Sequence, residues 1–209
     1  MREQMEKWVH AWKTLMTDME RQGARIWPLI IGPPAVPEQV AEAEARLGIR
    51  LPAAIRRILL AGTSRVQVGW SLPARTGEPF SLSGDLGWSL DGFEWPYFGD
   101  EEDPSNEQRY LCFHTGGNGD MLLLDLRAGA DDPPVYAWGH ETGEFLLLGQ
   151  SFTAFVDRVT ALGCIGAESW NYEPFAGADG LDVHGHNAES WKRWLQSVRW
   201  KKRLLTFPG

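Results

Sequence analysis

The chain has 209 residues, of which 43% are hydrophobic, so it is long enough to bury a substantial core. Its formal net charge of −8 argues against a general nucleic-acid binder, because phosphate contacts need clustered Lys and Arg. The acidic balance suits a basic partner instead. The chain has no run of about 18 apolar residues and its start is highly charged, so it lacks the pattern of a membrane span or a signal peptide. We therefore expect a cytoplasmic protein that binds neither nucleic acid nor membrane.

The two cysteines, Cys112 and Cys164, do not form a Cys-x-x-Cys pair. The sequence therefore offers neither a zinc nor a redox motif, and two free thiols are expected. Cys112 falls in an apolar segment, where burial would raise its pKa and make the thiol inert.

Three helical patterns occupy the first part of the chain. Residues 3–21 carry apolar side chains at spacings of three and four, which predicts one buried stripe. Residues 37–47 begin with a proline suited to a first helical turn and are followed by Gly48, a natural C-terminal cap. A short third helix is predicted over 51–61, and the prolines of 27–34 predict an extended connection.

From Val66 the apolar period changes to two, which is typical of strands. The predicted strands lie near 66–70, 86–90, 110–114, 120–126, 134–138 and 144–148. Asn118-Gly119 predicts a tight primed turn with two positive φ angles. No Lys-Ser or Lys-Thr follows this glycine-rich run, which disfavours a phosphate-binding loop.

The last part of the chain returns to helical patterns. Ser151 is a predicted cap for a helix over 152–162, and a final helix is predicted over about 187–205. Residues 164–186 are glycine-rich and predicted to be irregular. The final helix combines Trp with Lys and Arg, which is also typical of an interfacial helix, but we expect its Trp face to pack back onto the protein. Helices, then hairpins, then helices predict an α+β fold.

Three sequence blocks, in this order, resemble the SUKH superfamily and its Smi/Knr-type branch. The blocks are Pro37-Glu38-Gln39-Val40 through Leu47-Gly48-Ile49-Arg50-Leu51-Pro52; Gly117-Asn118-Gly119-Asp120 with 122–125; and 135–141 with Gly143 and 151–155. Ala61-Gly62-Thr63-Ser64 departs from the Asn-Gly-Gly that the family often shows after the short helix. The resemblance implies a curved, mostly antiparallel sheet packed against helices. We expect one domain over 1–209, with a core of about 35–162, an added N-terminal helix over 3–21 and a C-terminal extension over 163–209.

The resemblance also implies a binding role. Many bacterial members look like immunity proteins that block a cognate toxin, whereas fungal members act as regulatory hubs. No catalytic residues are established for the family, so none are carried over. The expected function is non-enzymatic neutralisation of a toxin. The alternatives are a regulatory or scaffold protein without a toxin partner, and a metal-dependent hydrolase.

Two groups of residues could support the hydrolase alternative. Asp182, His184 and His186 alternate along one segment and could ligate a metal, but a polar loop leading into the last helix is favoured, and no cofactor is expected. His140 and Glu141 could form an acid–base pair, but adjacent strand residues point to opposite faces. A structural role in the turn is therefore favoured for that pair.

Asp120 and Asp125 flank a predicted strand at an odd spacing. Such a spacing places them on opposite faces, so they do not form a carboxylate pair for acid–base catalysis.

The predicted partner-binding surface is an acidic run with aromatic neighbours. The run consists of Asp100, Glu101, Glu102 and Asp103, and it follows Trp95 and Tyr97. Carboxylates of this kind steer a basic partner, and aromatic side chains beside charges are typical of binding hot spots. The alternative is a solvated loop whose aromatic residues pack on the sheet. The oligomeric state is not predicted.

Overall fold

The computed structural model of the chain describes residues 1–72, 83–99, 108–127 and 129–203, with the side chains of the last helix described up to residue 195. Within these ranges it has six α-helices and two antiparallel sheets, which confirms the α+β fold. The helices are α1 (Arg2–Arg21), α2 (Pro37–Leu47), α3 (Ala53–Ala61), α4 (Phe152–Ala161), α5 (Ser169–Tyr172) and α6 (His186–Arg203). The strands are β1 (Arg25–Ile26), β2 (Ile30–Ile31), β3 (Arg65–Ser71), β4 (Ser83–Ser89), β5 (Tyr110–Thr115), β6 (Met121–Asp125), β7 (Val135–Trp138), β8 (Phe145–Gly149), β9 (Ala176–Gly177) and β10 (Gly180–Leu181).

The first sheet is built around β3, which pairs with β4 along its whole length and with the short strands β1 and β2 on its other side. The sequence predicted only an extended connection over 27–34. Strands of two residues are too short to show the alternation that identifies a strand, so they escape a pattern-based prediction.

The second sheet has the order β5-β6-β7-β8-β10-β9. Its first four strands form the predicted meander, which is thereby confirmed. Residues 164–186 are more ordered than predicted, since they supply α5, β9 and β10. The position of β10 requires Gly180, which has φ +104°, because a Cβ there would lie 2.4 Å from the Leu148 carbonyl oxygen.

The loop between β5 and β6 differs from the predicted primed turn. Gly119 has φ +98°, whereas Asn118 does not have a positive φ. The Gly116 N–H donates to the Asp120 carbonyl at 2.8 Å, which leaves a three-residue loop that ends in the positive-φ glycine. The Asn118 side chain accepts the Asp120 N–H at 3.0 Å, so this asparagine acts through its side chain.

The two sheets adjoin at β4 and β5. Glu94, after β4, and Cys112 on β5 exchange two backbone hydrogen bonds of 3.1 and 2.9 Å. His114 Nε2 on β5 lies 3.2 Å from an Asp85 carboxylate oxygen on β4. The segment 93–99 is therefore held along the outer edge of β5.

The predicted N-terminal helix packs on α4. The indole N–H of Trp12 donates to the Thr160 hydroxyl at 3.0 Å, and that of Trp8 donates to Asp157 at 2.6 Å. The start of α4 is capped as predicted, since the Ser151 hydroxyl accepts the Ala154 N–H. The core that these helices share extends from Met5 to Trp191 along the chain.

The helix α4 lies on β8 and β10, as predicted for a helix packed on the meander, whereas α2 chiefly contacts α3 and the 3-10 turn at Leu90–Gly92. Arg46 of α2 donates to the Phe93 carbonyl at 2.8 Å and so holds this turn. The helix α2 therefore reaches the sheet layer through the 3-10 turn and α3.

The C-terminal helix α6 packs its Trp face onto the protein, as predicted. Trp191 is fully buried between Trp70 and Trp194, with ring centroids 6.4 and 5.0 Å away. Its indole N–H donates to the Leu162 carbonyl at 2.8 Å. The described part of the C-terminal extension thus completes the core.

Candidate protein-binding surface

The face of the meander that points away from the core carries a second apolar cluster, which we call the aromatic face. Because side chains alternate along each strand, Leu111, Leu122 and Leu148 face the core while their neighbours face outward. The aromatic face consists of Tyr110, Cys112, Met121, Leu123, Tyr136, Trp138 and Phe145, and Phe98 from the segment 93–99 packs on it. A sheet with apolar side chains on both faces needs a cover on its outer side.

Phe98 supplies part of that cover. Its ring lies 5.1 Å from Trp138, 5.5 Å from Phe145 and 6.1 Å from Tyr110, in edge-on arrangements. Aromatic pairs of this geometry add about 0.5–1.5 kcal/mol to the effect of burial. Phe98 and the backbone bonds of Glu94 together fix the segment 93–99 on the meander.

The two predicted aromatic site residues in this segment, Trp95 and Tyr97, differ in burial. Tyr97 is 65% exposed, next to the buried Phe98. Trp95 is half-buried, and its indole N–H donates to the Leu47 carbonyl at the end of α2, at 3.0 Å. Trp95 therefore joins this segment to α2, whereas Tyr97 is largely exposed.

The acidic run of Asp100, Glu101, Glu102 and Asp103 lies outside the described residues. It follows directly after the fixed segment 93–99 in the sequence. Tyr136 and Phe145 belong to the surface too, although neither is among the predicted site residues. The signal for them is that β7 and β8 are continuous apolar runs, which is typical of strands with apolar side chains on both faces.

Both thiols are buried and free. Burial raises the pKa of Cys112 to about 11 and raises the pKa of Cys164 as well. At neutral pH both side chains are protonated thiols, which are poor nucleophiles.

Asp120 joins three loops behind the aromatic face. One carboxylate oxygen accepts the backbone N–H of His140 at 2.9 Å and contacts the ring Nδ1 at 2.8 Å, while the other accepts the Ser169 N–H at 2.6 Å. Burial favours the neutral acid, but the hydrogen bonds from Ser169 and His140 outweigh it and hold the pKa of Asp120 well below its usual value.

His140 and Glu141 differ in how closely their side chains are held. The described hydrogen-bond partner of the His140 ring is Asp120, and Glu141 lies 3.9 Å from its other nitrogen. Asp125 has separate partners, because Arg109 binds it with bonds of 2.6 and 3.1 Å. Asp120 and Asp125 therefore do not act as a pair.

Asp182 turns the chain toward α6. Its carboxylate accepts the N–H groups of His184 and Gly185 at 2.8 and 2.9 Å. Within the described ranges, no three His, Cys, Asp or Glu side chains are grouped so that they could hold a metal ion. His184 lies in this turn, and His186 is the first residue of α6.

Comparison with known proteins places this architecture in a family. The family model described as "SMI1 / KNR4 family (SUKH-1)" matches residues 34–158, which is more than half of the chain. No curated protein and no solved structure matches. Of the helices in the described part of the chain, none is long and apolar enough to cross a membrane. The matched segment runs from just before α2 into α4 and contains the whole meander, so the chain belongs to the SMI1/KNR4 family (SUKH-1).

Proposed function

We propose that this chain is a non-enzymatic immunity protein that neutralises a basic toxin by binding it. Membership of the SMI1/KNR4 family suggests protein partners in general. The observation that supports a specific surface is Tyr97, which is 65% exposed while its neighbour Phe98 is held on the aromatic face. The acidic run then follows at once in the sequence.

The parts of this surface have separate physical roles. Tyrosine combines a large apolar ring with a hydroxyl and has few rotatable bonds, so a rigidly based Tyr97 loses little entropy when it is buried by a partner. The carboxylates of the acidic run attract a basic protein over distance and so increase the association rate. Tyr97 accordingly sets how long the complex lasts, and the acidic run sets how fast it forms.

A pull-down with this chain as bait, from its own organism, tests the proposed function. We expect it to retain a basic protein whose expression alone stops growth, and we expect co-expression of this chain to restore growth. Capture of a harmless partner, with growth unaffected, would favour the regulatory or scaffold role instead.

The binding surface yields a kinetic prediction for that partner. Changing Asp100, Glu101, Glu102 and Asp103 to Asn or Gln should slow association about tenfold at low salt and flatten its salt dependence. Tyr97→Ala should instead speed dissociation about thirtyfold, as expected for loss of a hot-spot side chain. Stopped-flow association and dissociation at two salt concentrations measure both effects.

The matched control removes the same charge elsewhere. Glu3, Glu6, Glu20 and Glu38 are exposed on α1 and α2, and changing all four to Gln should leave most of the association rate intact. An unchanged rate for the neutralised acidic run, or equal slowing by the control, would place the interface elsewhere. The remaining part of the aromatic face would then be the next candidate.

Trp95 has a different expected role from Tyr97. Trp95→Phe keeps an aromatic ring but removes the hydrogen bond to the Leu47 carbonyl. We expect it to lower the free energy of unfolding by about 1 kcal/mol and to leave partner dissociation unchanged. Urea unfolding and the same dissociation assay measure the two quantities. Faster dissociation at unchanged stability would show that Trp95 contacts the partner.

A further inference from the structure

A groove of about 820 Å³ runs between the start of α3 and the loop after β6, and none of its lining residues belongs to the aromatic face. Its apolar lining includes Ile49, Leu60 and Leu126. These three side chains are only partly buried, and each packs against the core. The groove therefore has an apolar floor that rests on a fixed base and remains open to solvent.

The charged lining of the groove is mainly cationic. It contains Arg50, Arg56 and Arg57 and a single carboxylate residue, Asp131. Arg56 is bound to Glu44 at 2.5 Å. Arg50 and Arg57 are exposed, and neither makes an ion pair with a described carboxylate. This concentration of positive charge stands out in a chain whose net charge is −8.

The walls of the groove are held by hydrogen bonds. The Ala54 N–H of α3 donates to the Asp131 carbonyl at 2.7 Å, which joins the loop after β6 to the helix. The Leu51 N–H donates to Glu44 at 2.8 Å, and the same carboxylate holds Arg56. A groove with fixed walls binds a ligand at a low cost in ordering its own residues.

We propose that this groove binds an acidic peptide segment of another protein, with apolar side chains on the floor and carboxylates on Arg50 and Arg57. Guanidinium groups bind carboxylates through two parallel hydrogen bonds, which gives orientation as well as affinity. Grooves with an apolar floor commonly take one apolar stripe of a helix or extended segment. The basic groove thus binds an acidic segment, whereas the acidic run attracts a basic protein. The groove is therefore a second protein-binding site.

Selection from a phage-displayed library of random linear peptides tests this proposal. We expect the peptides retained by the chain to be enriched in Asp and Glu interleaved with Leu, Ile or Phe. Retained peptides are then synthesised with a fluorescent label and titrated by anisotropy. The double variant Arg50→Glu/Arg57→Glu should weaken their binding at least about tenfold, since each reversal replaces an attraction with a repulsion.

The matched control is Lys13→Glu/Arg65→Glu, which reverses two exposed cations on α1 and β3 and makes the same change in net charge. It should retain the affinity within about twofold, as should neutralisation of the acidic run. Selected peptides without acidic enrichment, or equal weakening by both double variants, would overturn the proposal. Tight binding of a labelled single-stranded oligonucleotide that is lost in Arg50→Glu/Arg57→Glu would also overturn it and assign the groove to nucleic acid.

Discussion

Trp191→Ala is expected to lower the free energy of unfolding by about 4 kcal/mol, because it removes a large side chain from a fully packed site. The change also leaves the Leu162 carbonyl without its indole donor and removes the ring stacked on Trp70. For a chain of this length, such a loss corresponds to a fall of roughly 8–16 °C in the melting temperature. Urea unfolding followed by far-UV circular dichroism measures the free energy directly.

Trp194→Ala is the control for this prediction. Trp194 stacks on Trp191 but is only partly buried, so its removal should cost clearly less. A loss below about 1 kcal/mol for Trp191→Ala would show that α6 is not docked on the core in solution.

An N-terminal fragment that ends before α6 should be less stable than the full chain, because Trp70 would lose its cover.

The helices and the meander could be predicted because their local signals agree with the final packing. Pro37 and Gly48 mark both ends of α2, and Gly48 adopts the left-handed conformation that a C-terminal cap uses. Ser151 caps α4 as its position suggested. Elements with consistent local signals are the ones for which sequence patterns are most reliable.

The parts that escaped prediction depend on contacts between distant residues. The strand β10 forms because Gly180 lets the chain approach Leu148 closely. Its sequence has no alternation of apolar and polar residues that would predict a strand. The prediction of a primed turn at Asn118-Gly119 is wrong, because Asn118 accepts the Asp120 N–H with its side chain and does not have a positive φ. Local composition does not show whether a turn residue acts through its backbone or its side chain, or which distant residues a short strand contacts.

The candidate surface could be predicted in part. Sequence placed Trp95 and Tyr97 together, but only the fold separates them, since Trp95 reaches the distant Leu47 carbonyl. The basic groove could not be predicted from the sequence, because Arg50 and Arg57 lie near Leu126 only when the meander and α3 have packed. An exposed arginine in a sequence does not reveal whether an apolar floor lies beside it.

Segments outside the family match complete the core. Residues 34–158 match the family, yet Trp70 within that match is covered by Trp191 beyond it. At the other end, Trp8 of α1 bonds to Asp157 of α4. Both α1 and α6 therefore contact residues of the matched segment through buried tryptophan side chains.

Asp120→Asn is expected to lower the free energy of unfolding at pH 7 by about 3 kcal/mol, because hydrogen bonds to a charged acceptor are stronger than neutral ones. The new amide also presents N–H groups to at least one of the donors from His140 and Ser169. At least one of those donors would lose its acceptor, and the three loops that Asp120 joins would loosen. Urea unfolding at pH 7 measures the loss.

The size of this loss should depend on pH in a defined direction. The folded-state pKa of Asp120 lies below its ordinary value, whereas the unfolded pKa is about 3.9. A depressed pKa gives stability that is fully present well above the unfolded pKa and is lost as pH falls toward the folded pKa. The gap between wild type and Asp120→Asn should thus be largest above about pH 5 and should narrow steadily as the pH falls below about 4.

Asp91→Asn supplies the comparison, since Asp91 is exposed and the substitution removes the same formal charge. It should change the free energy of unfolding by less than about 0.5 kcal/mol at every pH. A constant gap for Asp120→Asn between pH 7 and pH 3 would mean that Asp120 is not preferentially ionised in the folded protein. Its contacts with His140 and Ser169 would then stabilise the loops by the same amount at both pH values, without a contribution from the charge of Asp120.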